Sequence, residues 1–296
     1  MSVLVVGGTG IDTVVPVAEL PVVAADSMPP AGPIRDRVAH TGTGVALGLH
    51  ALGVPVTVVD ALGDDDAGQR VTAAFAGWGV PLRTAVAPAG TRRAVNLMDP
   101  GGRRLSIYDA REAPGYRLPP TVYQTELGEV RHVHVTIMDW ARHLLPEVRA
   151  AGRSISTDLH DWDGDNPYHL DFALGADLVF LSGVQLGRQA LDVARRIMAD
   201  GIASLVVVTA GQAGADLISR RDPDVTMHES AADPGAPVVD TNGAGDAFAA
   251  AFLAAWLDGL EDAACLRRGA VAGAYACTRH VGGGTFIDAA TLARRA

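Results

Sequence analysis

VVDTNGAGDAFAAAF, residues Val238 to Phe252, is the stretch on which the reading of this chain turns. An apolar pair leads into a polar turn with two glycines and two aspartates, and then into small and aromatic apolar residues. That is the pattern of a loop becoming a buried helix. Asp246 stands at the transition, where a carboxylate costs desolvation free energy unless it is hydrogen-bonded or paired. One reading is capping, because an aspartate in the first turn is favoured by the helix dipole. The other is chemistry. Gly243, Ala244 and Gly245 leave backbone N–H groups unshielded, and the helix start adds its own unsatisfied donors and positive dipole end. Such a turn holds an anion without any cationic side chain, and an aspartate beside a bound phosphoryl group can take the proton of an attacking hydroxyl. General-base help of that kind is worth about a hundred- to ten-thousand-fold in rate.

The rest of the composition narrows the field. The chain has 296 residues, is 48% hydrophobic and carries a formal charge of -10. It can bury a large core, as one big domain or one domain with a small appendage. Its acidity gives no electrostatic reason to bind nucleic acid or an anionic membrane, and no apolar run reaches the roughly 18 residues of a membrane span. MSVLVVGG has no basic segment and only a short apolar run, so neither a signal peptide nor an anchor is expected, and Cys265 and Cys277 fit a reduced, cytoplasmic protein. All 24 basic residues are arginine, with no lysine anywhere. That absence removes the Walker-type phosphate loop, the protein-kinase fold and Schiff-base chemistry, each of which needs an amine. Phosphate would have to be held by arginine and backbone N–H groups.

Hydrophobic patterning predicts an α/β protein. Val3 to Val6 reads as a buried strand ending in Gly7-Gly8-Thr9-Gly10. Residues 13–23, 34–39, 92–98 and 104–109 alternate like half-exposed strands. They read as a small sheet made by excursions 13–39 and 91–117 from a main domain of residues 1–12, 40–90 and 118–296. Further strands are expected at Val56 to Val59, Arg131 to Thr136, Ser154 to Thr157, Leu178 to Leu181 and Leu205 to Thr209. Helices are expected near 43–52, 66–78, 141–151, 187–200, 245–257, 262–279 and 288–294. Alternation of this kind builds a doubly wound, mostly parallel sheet with ligands at the strands' carboxyl ends.

Competing motifs fail on inspection. A dinucleotide fingerprint starting at Gly8 needs glycine where Thr13 stands, and a helix where strand is expected. Asp161, Asp163 and Asp165 imitate half of a calcium loop, but Asn166 and Phe172 occupy its glycine and glutamate positions. His132, His134, His160 and His169 have no zinc spacing. There is no G-x-S-x-G elbow.

Asp240-Thr241-Asn242-Gly243-Ala244-Gly245-Asp246 resembles the D-T-x-G-A-G-D signature of the ribokinase-like (PfkB) carbohydrate kinases. Gly7-Gly8 with Asp12, Gly63-Asp64-Asp65 with Gly68, and Thr209-Ala210-Gly211 with Gly214 follow in family order. The resemblance implies a Rossmann-like mostly parallel sheet with helices on both faces, a small β-sheet lid, and ATP-dependent phosphorylation of a hydroxyl on a sugar, nucleoside or similar molecule. It implies Asp246 as catalytic base and the N–H groups of Gly243, Ala244 and Gly245 as anion hole. Asp12, Gly42 and Gly44 fall at substrate positions, and Thr209, Gly211, Gly214 and Thr241 at nucleotide positions. A homodimer through the lid is a further expectation. The departures concern specificity and metal. Ala39-His40 stand at the family's glycine pair, Gly44 at its sugar-contacting asparagine, Ala270 at its adenine-side asparagine, and Gln185 at the glutamate that organises Mg²⁺. Those departures leave a catalytically weakened binding protein of the same fold as the alternative. Arg35, Arg92, Arg103, Arg104, Asp139 and His160 are lesser candidates, the arginines reading mainly as solvated surface.

Overall fold

Strand β1 (Val3–Val6) is four valine and leucine residues with both faces buried, as a central parallel strand requires. The computed structural model describes residues 2–279 and 286–296. After β1 come β2 (Gly10–Pro16), β3 (Arg35–Ala39), α1 (Thr41–Ala51), β4 (Val56–Leu62), α2 (Asp66–Trp78), β5 (Leu82–Val86), β6 (Arg93–Met98) and β7 (Arg104–Asp109). Then follow α3 (Gln124–Glu129), β8 (His132–Val135), α4 (Leu145–Ala150), β9 (Ser154–Asp158), α5 (Leu170–Gly175), β10 (Leu178–Ser182) and α6 (Ala190–Asp200). The chain continues through β11 (Leu205–Thr209), β12 (Ala215–Ser219), β13 (Asp222–Glu229), α7 (Ala244–Leu257), α8 (Asp262–Ala276) and α9 (Ala289–Arg295).

Nine strands form one sheet in the order β13-β12-β11-β10-β9-β8-β1-β4-β5. It is parallel from β11 to β5, with β12 and β13 added antiparallel at one edge. Period-two alternation divides the core between the faces. Leu4 and Val6 pack with Leu127, Leu144, Val148, Phe172 and Ile197. Val3 and Val5 pack with Val45, Leu49, Phe75, Phe252 and Leu266. Helices α3 to α6 therefore cover one face and α1, α2, α7 and α8 the other. Strand β1 lies between β8 and β4, so successive connections run outward in opposite directions from it. The crevice at its carboxyl end is where a doubly wound sheet takes ligands.

Four strands in the order β3-β2-β6-β7 form the second, smaller sheet. Strand β2 begins at Gly10, so Asp12 stands on the lid sheet rather than just before it. The strand expected over 13–23 ends at Pro16, since proline has no N–H to continue the ladder. Strands β5, β12 and β13 and helices α3 and α5 went unread in the pattern. Helix 141–151 is resolved into a 3₁₀ turn at Asp139–Leu144 followed by α4, broken where Pro146 enters at the first turn. Among the described residues, no helix is long and apolar enough to cross a membrane.

Hydrogen-bonded braces join the two sheets. Arg92, 4% exposed, forks onto fully buried Asp60 with Nη1–Oδ2 at 2.8 Å and Nη2–Oδ1 at 2.9 Å. Thr9 donates to the same carboxylate through N at 2.8 Å and Oγ1 at 2.6 Å. Arg92, read from sequence as surface, is thus a core cation tying β4 to the start of β6. Asp65 makes a neighbouring brace. It caps α2 through Gly68 N at 2.8 Å, and accepts from Thr91 N at 2.9 Å and Thr91 Oγ1 at 2.7 Å. A Cβ on Gly63 would lie 2.6 Å from Thr91 N. Gly63 and Asp65 thus fix the chain beside Thr91, whereas Asp64 is exposed.

Candidate active site

Helix α7 starts in the crevice because Gly243 turns the chain there with φ 78°, a left-handed conformation that glycine adopts without cost. No side chain among the described residues caps this end. The N–H of Ala244 makes a long turn bond to Thr241 O at 3.3 Å, while those of Gly243 and Gly245 have no backbone acceptor among the described residues. Gly245 is exposed, and a Cβ there would meet nothing within 4 Å among the described residues.

Asp246 occupies the first turn of α7, with Oδ1 accepting from Thr41 Oγ1 at 3.0 Å. Its other side lies against Gly44, where a Cβ would sit 2.6 Å from Asp246 Cγ. One turn on, a Cβ on Gly48 would stand 2.6 Å from Ala250 Cβ. Gly44 and Gly48 are one α1 stripe that admits α7 and its carboxylate. Burial pushes the Asp246 carboxyl up to about 6; His160, Thr41 and Arg104 oppose that rise and Asp158 adds to it. A base poised near neutrality is the arrangement that proton abstraction calls for.

The same crevice gathers groups from the lid. Asp12, 7% exposed, faces Arg37 at 3.9 Å and His40 Nε2 at 3.2 Å. Arg37 also reaches Asp240 Oδ2 at 3.3 Å, and its Nε and Nη2 are buried without a hydrogen-bond partner among the described residues. Arg104 Nη1 donates to Asn242 Oδ1 at 2.9 Å. His40 has φ 76°, a left-handed conformation that favours glycine and costs a histidine of order 1 kcal/mol. Its ring lies 5.3 Å from that of Tyr108, and a Cβ on Gly10 would fall 2.7 Å from His40 Nε2. Desolvation lowers the His40 pKa, against the pull of Asp12, and favours the neutral imidazole. Behind these, Gly42 allows α1 to meet Gly7 and Gly8: Thr43 N donates to Gly8 O at 3.1 Å, and a Cβ on Gly42 would collide with Gly7 O.

The nucleotide candidates separate. Thr209 ends β11, and its carbonyl accepts from Gly183 N at 2.8 Å. Gly211, at φ 57°, borders open space. Gly214, at φ 99°, is buried, and a Cβ there would collide with Glu229 O. Thr241 is exposed beside the turn. Gln185 is exposed near the end of β10.

Several lesser candidates have other work. Asp139 pairs with Arg142 at 3.0 Å, and Arg103 with Asp99 at 2.6 Å. His132 bonds Ser154 and Ser156, and His134 also bonds Ser156. Burial takes these two histidines down to about 3 and about 4, so they stay neutral. Asp163 Oδ1 accepts from Asp165 N and Asn166 N, which makes the acidic loop a turn. No cluster of three ligating side chains suited to a metal exists among the described residues. Sequence reasoning missed Arg37, His40, Thr41 and the Arg104–Asn242 bond. The Asp12–Arg37 pairing emerges only from the antiparallel register of β2 with β3.

A model of the pfkB family carbohydrate kinases matches residues 175–288. The chain is 44% identical to the acarbose 7(IV)-phosphotransferase of Actinoplanes sp., over 100% of its own length and 98% of the relative's. It belongs to the pfkB carbohydrate kinase family. The structure of a microbiome-derived acarbose kinase superposes with a TM-score of 0.91 at 45% identity, covering 99% of this chain and 98% of that one. Arabidopsis thaliana ribokinase complexed with ribose and ATP superposes at 0.80 with 21% identity, over 99% and 97% of the two chains, a likeness of fold. As a pfkB kinase, the protein transfers phosphate from ATP to a hydroxyl of a sugar or related small molecule.

Proposed function

We propose that Asp246 is the base of this transfer, that the N–H groups of Gly243, Ala244 and Gly245 cradle the moving phosphoryl group, and that the acceptor is acarbose or a closely similar saccharide. The observation that carries the mechanism is a carboxylate raised to about 6 beside the open N-terminus of α7. The acceptor reading rests on the 44% identity along the whole chain to an acarbose 7(IV)-phosphotransferase. Asp246 takes the hydroxyl proton as the acceptor oxygen bonds the γ-phosphorus and the bond to the bridging oxygen breaks. The donors at 243–245 receive the charge that spreads over the phosphoryl oxygens. The bond from Ala244 to Thr241, at 3.3 Å, is weak enough to be exchanged for phosphate.

Asp12 would hold substrate, with buried Gly42 serving behind it to fit α1 against Gly7 and Gly8, while Thr209, Gly211 and Thr241 would border the nucleotide. Gly214 contributes indirectly, by letting β12 turn away behind that site. Mg²⁺ would supply charge neutralisation on the phosphates. It asks for only one or two protein carboxylates, and Asp158, whose charge acts on Asp246, is the acid that would serve, with Gln185 unable to lend charge. In an ADP-release panel, acarbose is expected to exceed ribose, fructose and nucleosides at least about tenfold in kcat/KM, roughly the discrimination that 1.4 kcal/mol of transition-state binding gives. Preference for a nucleoside would overturn the acceptor assignment. Turnover that persists after exhaustive chelation would overturn the magnesium role.

The outer lid face carries Val95 beside Ile107 and Leu97 beside Leu105, with Ile107 59% and Leu105 49% exposed on an edge strand. Unpaired apolar edges invite pairing, and two copies joined there form the proposed homodimer. Sedimentation should find a dimer that Ile107→Glu converts to monomer. A wild-type monomer at micromolar concentration would end the proposal.

A further inference from the structure

Arg104 stands on β7 with its side chain turned to the main domain, Nη1 bonded to Asn242 Oδ1 at 2.9 Å. Of its neighbours on that face, Tyr108 also reaches across, whereas Ser106 bonds within the smaller sheet. Ser106 Oγ donates to Asn96 Oδ1 at 2.6 Å, and the Tyr108 hydroxyl lies 3.7 Å from Met138 Sδ while its ring meets His40. Asn242 immediately precedes the glycine that starts α7, so the guanidinium is held at the mouth of the N–H cradle. It is also near enough to Asp246 to favour that carboxylate's ionised form.

Two lid arginines touch this turn, and they differ in charge balance. Arg37 is paired with Asp240 at 3.3 Å and is compensated. Arg104 is bonded to a neutral amide, and among the described residues no carboxylate lies within ion-pair distance of it. An uncompensated cation beside an anion cradle, in a chain without lysine, has one evident use. Backbone donors carry only partial charge, whereas phosphoryl transfer spreads negative charge over three equatorial oxygens that a planar guanidinium fits.

We infer that Arg104 is a catalytic residue, delivered by the lid to the transferring phosphoryl group. The inference rests on reading residues 243–245 as the phosphate cradle. In the step, the new bond joins the acceptor oxygen to the γ-phosphorus, the old bond's electron pair leaves with ADP, and the hydroxyl proton passes to Asp246. Arg104 exchanges no atoms. It trades a single bond to Asn242 for bonds to non-bridging phosphoryl oxygens. Because the cation arrives with the lid, transfer becomes dependent on closure, and loss of phosphate to water is held down.

The test measures kcat and both KM values for Arg104→Met and Arg104→Lys, with and without added guanidinium, beside Asp246→Asn. Arg104→Met is expected to lose about a hundredfold or more in kcat with each KM within about threefold, since the contact forms only in the transition state. Guanidinium should restore part of that loss and leave wild type unchanged, and lysine should recover less than the full rate. Arg104 is exposed, so its removal leaves the core untouched. Near-wild-type kcat in Arg104→Met, or a loss confined to KM, overturns the inference while an inactive Asp246→Asn leaves the cradle standing. Near-wild-type turnover in Asp246→Asn overturns the cradle reading, and the inference with it.

Discussion

Asp246→Asn is expected to lower kcat by about a hundred- to ten-thousand-fold while the protein melts no lower, and at neutral pH higher, than wild type. The amide keeps the shape that fits against Gly44 and can still accept from Thr41, but it cannot take the acceptor's proton. The stability gain follows from linkage. A carboxyl held at about 6 in the fold, against 3.8 ordinarily, binds its proton more readily folded than unfolded. Folding stability therefore falls as pH rises between those values, and the cost is present in full above about 6. Wild-type kcat/KM should fall about tenfold per pH unit below about 6, as the base protonates. Thermal melts at two pH values and a pH–rate profile check both statements. An Asp246→Asn protein with near-wild-type turnover would remove Asp246 from the chemistry.

Arg92→Met should be the most destabilising single change among these braces, costing about 3–5 kcal/mol, because it strands a fully buried carboxylate. Asp60 would retain Thr9 N and Oγ1 as donors but lose all charge compensation. The double variant Asp60→Asn with Arg92→Met is expected to recover part of the loss, since it removes the unpaired charge as well as the pair. Urea unfolding of the single and double variants measures this. A loss below about 1 kcal/mol for Arg92→Met would mean that the pair is not braced as the geometry indicates.

The parts read correctly in advance share a property: their cause is local. The α7 turn was legible because glycine spacing, an acidic residue and an apolar run occupy consecutive positions. The core strands β1, β4, β8, β9, β10 and β11 were legible from short runs rich in β-branched residues. Strands β12 and β13 were missed because β13 is mostly exposed and shows polar residues on both sides. Arg92 was misassigned for a related reason. A strand residue that looks half-exposed by alternation can be buried by a second sheet, and its partner Asp60 lies 32 positions away.

By itself the sequence determined the fold class and the family and pointed to the proposed base, since each depends on residues close together in the chain or on the alternation of apolar positions. Only the tertiary structure decided which charges face one another. Asp12 with Arg37, Asp246 with Thr41 and Gly44, and Arg104 with Asn242 are brought together by strand register and by the approach of α1 to α7. Coulomb and hydrogen-bond energies depend on separation in space. A residue 138 positions along the chain from its partner carries no trace of that partner in its own neighbourhood.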